Sequence, residues 1–474
     1  MNFVQTEFLG FLAVVWAAVW ALGRLPSGGR RWQNVTLIAA SAIFYGWVHP
    51  WFLLLLLASA LTDYTAGRVI TERPAWRDLA LAASLVVNLG LLGTFKYLDF
   101  FLQSVADAAT ALGLHADVKL LGLVLPVGIS FYTFQTMSST IDVYRGHLRA
   151  RTDLVDYLLY VMFFPQLVAG PIERAERLLV QVERPRSITL DGFVSGVSLA
   201  MWGAFKKLVV ADTLAPYIDK VFVLKEPPGA LIWAGALAFS VQIYADFSGY
   251  TDIARGVART LGFELSENFR SPYLSASTPE FWQRWHISLS TWIRDYLFTP
   301  LLGTGARVST ARLVGATMTT FALIGLWHGA SWNFLLFGLW HGLWMTVYTL
   351  GGRWWGTRPL PPRALAVVFH FVVVSLPGSL LFRETHLDRL LHAVTVTPWS
   401  AGEDAWIATI VLLGMTGAAS VPLLVSWPVV HWLLPELERS PWMLPIRTTT
   451  WAVLAWFVFV FYRVSAVDFV YFQF

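Results

Sequence analysis

Charged residues are missing from long stretches of the chain, and these gaps limit what it can fold into. Phe8–Gly23, Leu79–Phe95, Leu120–Ile141, Tyr157–Ile172, Pro227–Ala245, Ala364–Phe382 and Thr448–Tyr462 contain no Asp, Glu, Lys or Arg. Trp32–Thr62, Leu313–Gly352 and Ala405–Pro435 are longer gaps of the same kind. A bilayer core of about 30 Å takes roughly 20 helical residues, so Leu313–Gly352 has room for two passes. His49-Pro50 splits Trp32–Thr62 into two helices, because proline removes a donor and disfavours helical geometry in the residue before it. Charged residues make up 14% of the chain, against about 25% in soluble domains, too few to cover a soluble fold of 474 residues. The expected class is all-α: a polytopic integral membrane protein with about 11–13 membrane-embedded helices, forming a single membrane domain over residues 1–474.

Composition also excludes chemistry. The chain has no Cys, so disulfides, thiolate metal sites and a thioester carried on the protein are ruled out. No Walker loop, Gly-x-Ser-x-Gly elbow or His-Glu-x-x-His zinc helix occurs, and no metal site is expected. The net charge is only +4 and no long basic block is present, so nucleic acid is not an expected partner.

Met1–Glu7 lacks the basic start of a secretory signal, so the first apolar segment reads as a retained membrane helix. Basic residues set the topology. Arg24, Arg30 and Arg31, then Arg68, Arg73 and Arg77, then Arg145, Arg149 and Arg151, then Arg174, Arg177, Arg184 and Arg186 mark cytoplasmic loops, which places the N-terminus outside. Tyr157–Ile172 lies between two such clusters. It is expected to be re-entrant, and Pro165 and Gly170-Pro171 suit a broken helix.

Asp246–Arg307 carries six Arg and six acidic residues among many aromatics and cannot cross as one plain helix. Ser277-Thr278-Pro279-Glu280 is a helix start, with Ser277 capping and Glu280 as its box partner, or Thr278 capping ahead of Pro279. The following residues are amphipathic: Phe281, Trp285, Leu289, Trp292 and Tyr296 share one side, as in a helix lying in the membrane interface. Asp246 and Asp252 read either as ion-coupling carboxylates or as a polar knot with Arg255 or Arg270, and the knot is the favoured reading.

Histidines are the candidate chemical groups. His328 and His341 lie in the 40-residue gap Leu313–Gly352, within a repeated Leu-Trp-His-Gly. An ionisable residue at membrane depth is a functional candidate by default, and the alternative is a packing His bonded to a backbone carbonyl. His328 has Gly325, Gly329 and Ala330 to leave room for a ligand, with Ser331 and Asn333 as polar neighbours. His341 lies deeper in a helical run, where packing is the expectation. Thirteen residues of unbroken helix would hold the two about 20 Å apart. His286 is the third candidate, although Arg284, Arg294 and Asp295 nearby also fit a solvated interfacial His.

A series of motifs carries a resemblance. In order they are Pro126–Gln135, Asp142-Val143-Tyr144-Arg145-Gly146, Phe164–Ile172, Asp246-Phe247-Ser248-Gly249-Tyr250-Thr251-Asp252, Phe281–Ser290 with Trp292–Tyr296, Gly325–Trp332, and Tyr471-Phe472-Gln473-Phe474. With these the chain resembles the membrane-bound O-acyltransferase family, and within it the alginate O-acetyltransferase branch. The resemblance implies a catalytic His at His328 and a second functional His at His286. It also implies a multi-helix fold with re-entrant and interfacial pieces around a transmembrane tunnel. The substrate-contacting positions it suggests are Trp285, Trp327, Ser331, Asn333, Arg294, Asp295 and Asp246. Acetyl-CoA would be the donor substrate, with no bound cofactor, in a bacterial inner membrane. A periplasmic serine-hydrolase-like (SGNH) protein would be the partner and an exported polysaccharide the destination, with membrane lipid around the protein. Relatives serving teichoic-acid D-alanylation or peptidoglycan O-acetylation share these motifs, and the apolar gaps alone also fit a multi-pass transporter.

The residue inventory suits acyl transfer. Moving an acyl group to an alcohol needs a base for the hydroxyl proton, and neutral imidazole fits near pH 7. His328 is the expected base and His286 a tunnel or electrostatic partner. Backbone amides near Gly329, Asn333 and the His286 ring are candidate oxyanion donors. Direct attack by His328 to give an acyl-imidazole is the alternative route.

Overall fold

Proline and charge positions, read along the chain, mark most of the helix ends in the computed structural model, which describes residues 1–25, 28–114, 118–168, 170–303, 308–355, 361–397, 399–429 and 443–462. Helices dominate, and no strand occurs among the described residues. Tyr471–Phe474 lies outside them.

Two compact units divide the chain: Met1–Leu199 with Ala254–Ser266, and Ala200–Ile253 with Glu267–Phe474. The first unit is built from α1 (Thr6–Leu22), α2 (Gly29–Gly46), α3 (Phe52–Glu72), α4 (Arg77–Leu92), α5 (Leu98–Ala111), α6 (Ile129–Tyr144), α7 (Leu154–Met162), α8 (Phe164–Leu167) and α9 (Ala175–Glu183). It also holds most of α10 (Leu190–Ala204). As expected, His49-Pro50 separates α2 from α3. The Tyr157–Ile172 stretch breaks at Phe163, whose backbone leaves the helical region (φ −51°, ψ 107°). It yields a nine-residue and a four-residue helix, each far shorter than the roughly 20 residues a crossing needs. α3, α4 and α6 pack together around a buried polar centre, in which Asn88 and Thr140 donate to the Asp63 carboxylate at 2.8 and 2.9 Å. Arg30 reaches Asp156 at 2.8 Å, tying α2 to α7.

The second unit holds α11 (Asp212–Phe222), most of α12 (Gly229–Thr260), α13 (Thr278–Arg284), α14 (Ile287–Ile293), α15 (Thr299–Leu302), α16 (Thr310–His328) and α17 (Trp332–Trp355). It continues with α18 (Arg363–His370), α19 (Leu376–Arg383), α20 (Leu387–Thr395), α21 (Glu403–Pro428) and α22 (Met443–Phe461). The Leu313–Gly352 gap forms the two helices expected of it, α16 and α17. They lie so close that a Cβ on Gly325 would come within 2.1 Å of the Phe334 carbonyl, and one on Gly338 within 2.1 Å of the Phe321 carbonyl. Small residues permit this approach between membrane helices.

Eight helical stretches among the described residues are long and apolar enough to cross a membrane: Phe52–Glu72, Pro74–Ala111, Leu190–Phe222, Gly229–Thr260, Trp332–Gly352, Arg363–Arg383, Glu403–Ser426 and Met443–Phe461. Thr6–Leu22 is a shorter apolar helix. The protein is an all-α polytopic membrane protein.

Candidate active site

The site is assembled in the second unit around two breaks in its helices. The first is in the α13–α14 region. Ser277 caps α13 by accepting the Glu280 N–H at 3.3 Å. The Glu280 carboxylate reaches back to the Ala276 N–H at 2.8 Å, one residue earlier than a standard capping box. The apolar side is buried as the spacing predicts: Phe281, Trp285, Leu289 and Trp292 are all buried. The helix is not continuous, however. Trp285 is extended and His286 adopts a left-handed conformation, φ 43° and ψ 54°. For a residue with a Cβ this costs about 1 kcal/mol or more.

Asn268 holds that break in place. Its Oδ1 accepts from the Ser288 N–H at 3.1 Å and the Ser288 hydroxyl at 2.9 Å, and lies 3.1 Å from His286 Nδ1. The Ile287 N–H donates to the Asn268 carbonyl at 3.0 Å, and the Arg270 N–H to the Arg284 carbonyl at 2.9 Å. Bonds to the 268–270 segment thus replace bonds a continuous helix would have made internally. His286 is 0% exposed, so it is not a solvated interfacial residue. Its ring lies edge-on to Phe247 at 4.8 Å.

The second is at the end of α16. His328 is its last residue, and Gly329 then turns extended (φ −161°, ψ 149°). The Ser331 carbonyl and hydroxyl receive the Leu335 and Phe334 N–H groups at 3.3 and 3.4 Å, starting α17. Gly329 has no room for a side chain: a Cβ would meet the Phe334 ring at 2.1 Å. The Trp327 ring lies 4.8 Å from His328 and 5.8 Å from His286, centre to centre. One indole therefore packs against both histidines.

Because the helix breaks at Gly329, α17 folds back along α16, and His341 is not 20 Å of helix away from His328. Both line one cavity, together with Trp285, Tyr273, Phe281 and Phe382. The Phe337 ring lies between the two histidines, 5.5 Å from His328 and 4.8 Å from His341. His286 does not line this cavity.

The other expected positions are distributed differently. Asn333 is buried, and its amide donates to the Glu384 carbonyl, so that nitrogen joins α17 to the end of α19. Arg294 and Asp295 pair with each other at 2.8 Å with side chains 63% and 40% exposed, and neither lines the cavity. Asp246 is 0% exposed and pairs with Lys207 at 2.7 Å. Lys207 also reaches Asp212 at 2.8 Å, and Asp252 pairs with Lys206 at 2.7 Å. The polar knot thus includes Lys206 and Lys207, two members that the sequence did not suggest. Gly203 and Gly249 make it possible: a Cβ on Gly203 would meet the Gly249 carbonyl at 2.5 Å. The sequence reading missed Asn268, Lys206 and Lys207, and it assigned His341 to packing. Asn268 sits in irregular backbone with no periodic signal to reveal it.

A histidine at a helix end, facing an aromatic-walled cavity within a membrane protein, can take a proton from a bound alcohol away from bulk water. Comparisons with known proteins show the family. The sequence profile of the membrane-bound O-acyltransferase family matches residues 142–373, a range that includes His286 and His328. The "Probable alginate O-acetylase AlgI" of Pseudomonas aeruginosa is 41% identical over 372 residues, covering 77% of this chain and 70% of that protein. The "Peptidoglycan O-acetyltransferase" of Helicobacter pylori is 31% identical, covering 83% and 77%. The "Teichoic acid D-alanyltransferase" of Bacillus subtilis is 28% identical, covering 52% and 66%. With such relatives matched over most of its length, the chain is an O-acyltransferase and belongs to the membrane-bound O-acyltransferase family.

Proposed function

We propose that the protein moves an acetyl group from cytoplasmic acetyl-CoA across a bacterial inner membrane, towards hydroxyls of an exported polysaccharide, as one membrane domain. The observation that carries the reading is His328, 4% exposed at the end of α16 and lining the cavity. The name of the Pseudomonas relatives supports the acetyl group and the polysaccharide. His328 accepts the proton of the acceptor hydroxyl as its oxygen attacks the thioester carbonyl carbon. The tetrahedral intermediate then expels the CoA thiolate, which takes the proton from the imidazolium, leaving an ester, free CoA and neutral His328. General-base help of this kind is worth about 10²- to 10⁴-fold. His286, held by Asn268 behind the shared Trp327 ring, acts as the electrostatic partner.

The immediate acceptor is a hydroxyl on a separate periplasmic serine-hydrolase-like protein, which then modifies the polymer. The chain itself has no Gly-x-Ser-x-Gly nucleophile to carry the acyl group onward. The test is reconstituted protein supplied with acetyl-CoA and polysaccharide, with and without the periplasmic partner. Polymer acetylation that depends on the partner is expected. Full-rate acetylation by the membrane protein alone would contradict the partner step.

A further inference from the structure

Several buried polar groups around the His328 cavity have no hydrogen-bond partner among the described residues. His341 Nδ1, Trp282 Nε1 and Ser375 Oγ are each buried without a hydrogen bond among the described residues, and all three residues line the cavity. Leaving a buried polar group unpaired costs about 1–3 kcal/mol, and such groups call for a specific explanation. Here their residues line one space together with the proposed base, so a ligand that enters the space can satisfy them.

The cavity's chemistry restricts that ligand. No Lys, Arg, Asp or Glu lines it, so it is not built for phosphates or other ions. The rest of its wall is mainly aromatic and aliphatic, with Phe239, Ile243, Phe337 and Phe382, and the Tyr273 and Ser379 hydroxyls that also line it already donate to the Ser240 and Ser375 carbonyls. Indole N–H can only donate, while the serine hydroxyl and a neutral imidazole can donate as well. Such a lining receives a small, neutral group whose oxygen accepts hydrogen bonds. The His341 ring is also fixed for this task. It stacks at 6.0 Å on Phe281, meets Trp282 edge-on at 5.3 Å and touches Phe337 at 4.8 Å. On its remaining side, a Cβ at Gly378 would lie only 2.7 Å from its Nε2.

We infer that His341, Trp282 and Ser375 form the polar lining that receives the carbonyl oxygen of the acyl group next to His328. His341 is thus a substrate-contacting residue of the same pocket. The inference rests on the acyl-transfer reading of His328 and adds the residues that hold the acyl group. As the thioester carbonyl becomes tetrahedral its oxygen gains negative charge, and fixed donors at that point stabilise it.

The test compares His341→Phe, His341→Gln and Gly378→Ala in purified protein. It measures acetyl-CoA-dependent CoA release and thermal unfolding. His341→Phe should cut kcat/KM about tenfold or more, the equivalent of a lost hydrogen bond to a charged group. Its Tm should hold or rise, since an unpaired polar group is replaced by an apolar ring. His341→Gln should recover part of the activity, and Gly378→Ala should lose activity by displacing the ring. Wild-type kinetics in His341→Phe, or a lowered Tm with kinetics intact, would overturn the inference and show a packing residue. In the same assay an inactive His328→Ala keeps the reading of His328 standing whatever His341 does. Should the wild type transfer no acyl group, that reading fails instead. Thermal stabilisation by acetyl-CoA then decides: its loss in His341→Phe supports the contact, and its retention removes it.

Discussion

Asn268 Oδ1 lies 3.1 Å from His286 Nδ1 and also accepts both the backbone N–H and the hydroxyl of Ser288. One side chain therefore fixes a histidine ring and the left-handed break on which that ring is presented. Asn268→Leu should lower acyl transfer at least tenfold and destabilise the protein by about 1–3 kcal/mol, the cost of stranding those buried donors. CoA release and thermal unfolding measure the two effects. Unchanged activity would show that the orientation of His286 does not matter to the reaction.

Lys207, Asp246 and Asp212 form a buried charge cluster with contacts of 2.7 and 2.8 Å. Removing one member of such a pair leaves an uncompensated charge and costs about 3–5 kcal/mol. Lys207→Met strands both carboxylates and should therefore lose folded protein in detergent, as judged by size-exclusion yield and Tm. Adding Asp246→Asn and Asp212→Asn should recover much of it. A stable single variant would mean that the knot contributes little.

Much of the membrane architecture was legible because its signals are local. The His49-Pro50 boundary, the Ser277 cap and the division of Leu313–Gly352 into two helices follow from residues within a turn or two of each feature. The regular spacing of Phe281, Trp285, Leu289, Trp292 and Tyr296 ran straight through Trp285-His286, because what breaks the helix is Asn268, distant in sequence. The lysine partners of Asp246 and Asp252 were missed for the same reason. Arg255 and Arg270 are near in sequence, while Lys206 and Lys207 arrive through the Gly203–Gly249 crossing. His341 joined His328 only once the turn at Gly329–Ser331 folded α17 back.

Burial works against the charge of Glu280, but a 2.6 Å bond from Arg363, the Ala276 N–H and the charges of Arg284 and Arg363 outweigh it. Together they hold its carboxyl below the usual carboxylate range. A carboxylate depressed on folding stabilises the protein above its unfolded pKa, and that contribution is lost as pH falls through the folded value. Wild-type Tm should accordingly drop on acidification through the carboxylate range, and Glu280→Gln should flatten that part of the curve. An identical pH–Tm profile in the variant would remove Glu280 from the account.

The positive-inside bias predicts that the loops around Arg24–Arg31, Arg145–Arg151 and Arg174–Arg186 face the cytoplasm. The chain has no cysteine of its own, so single cysteines at positions 24, 149 and 184 can be labelled selectively. An impermeant maleimide should label them only after the cells are opened. Labelling in intact cells would reverse the topology.

If His328 carries the chemistry, purified wild type and His328→Ala must differ in rate but not in fold. The measurement is acceptor-dependent release of CoA from acetyl-CoA, with Tm recorded on the same samples. The account predicts release by the wild type, a loss of about 10²-fold or more in the variant, and a folded variant with near-native Tm. A folded His328→Ala protein that releases CoA at the wild-type rate would contradict it.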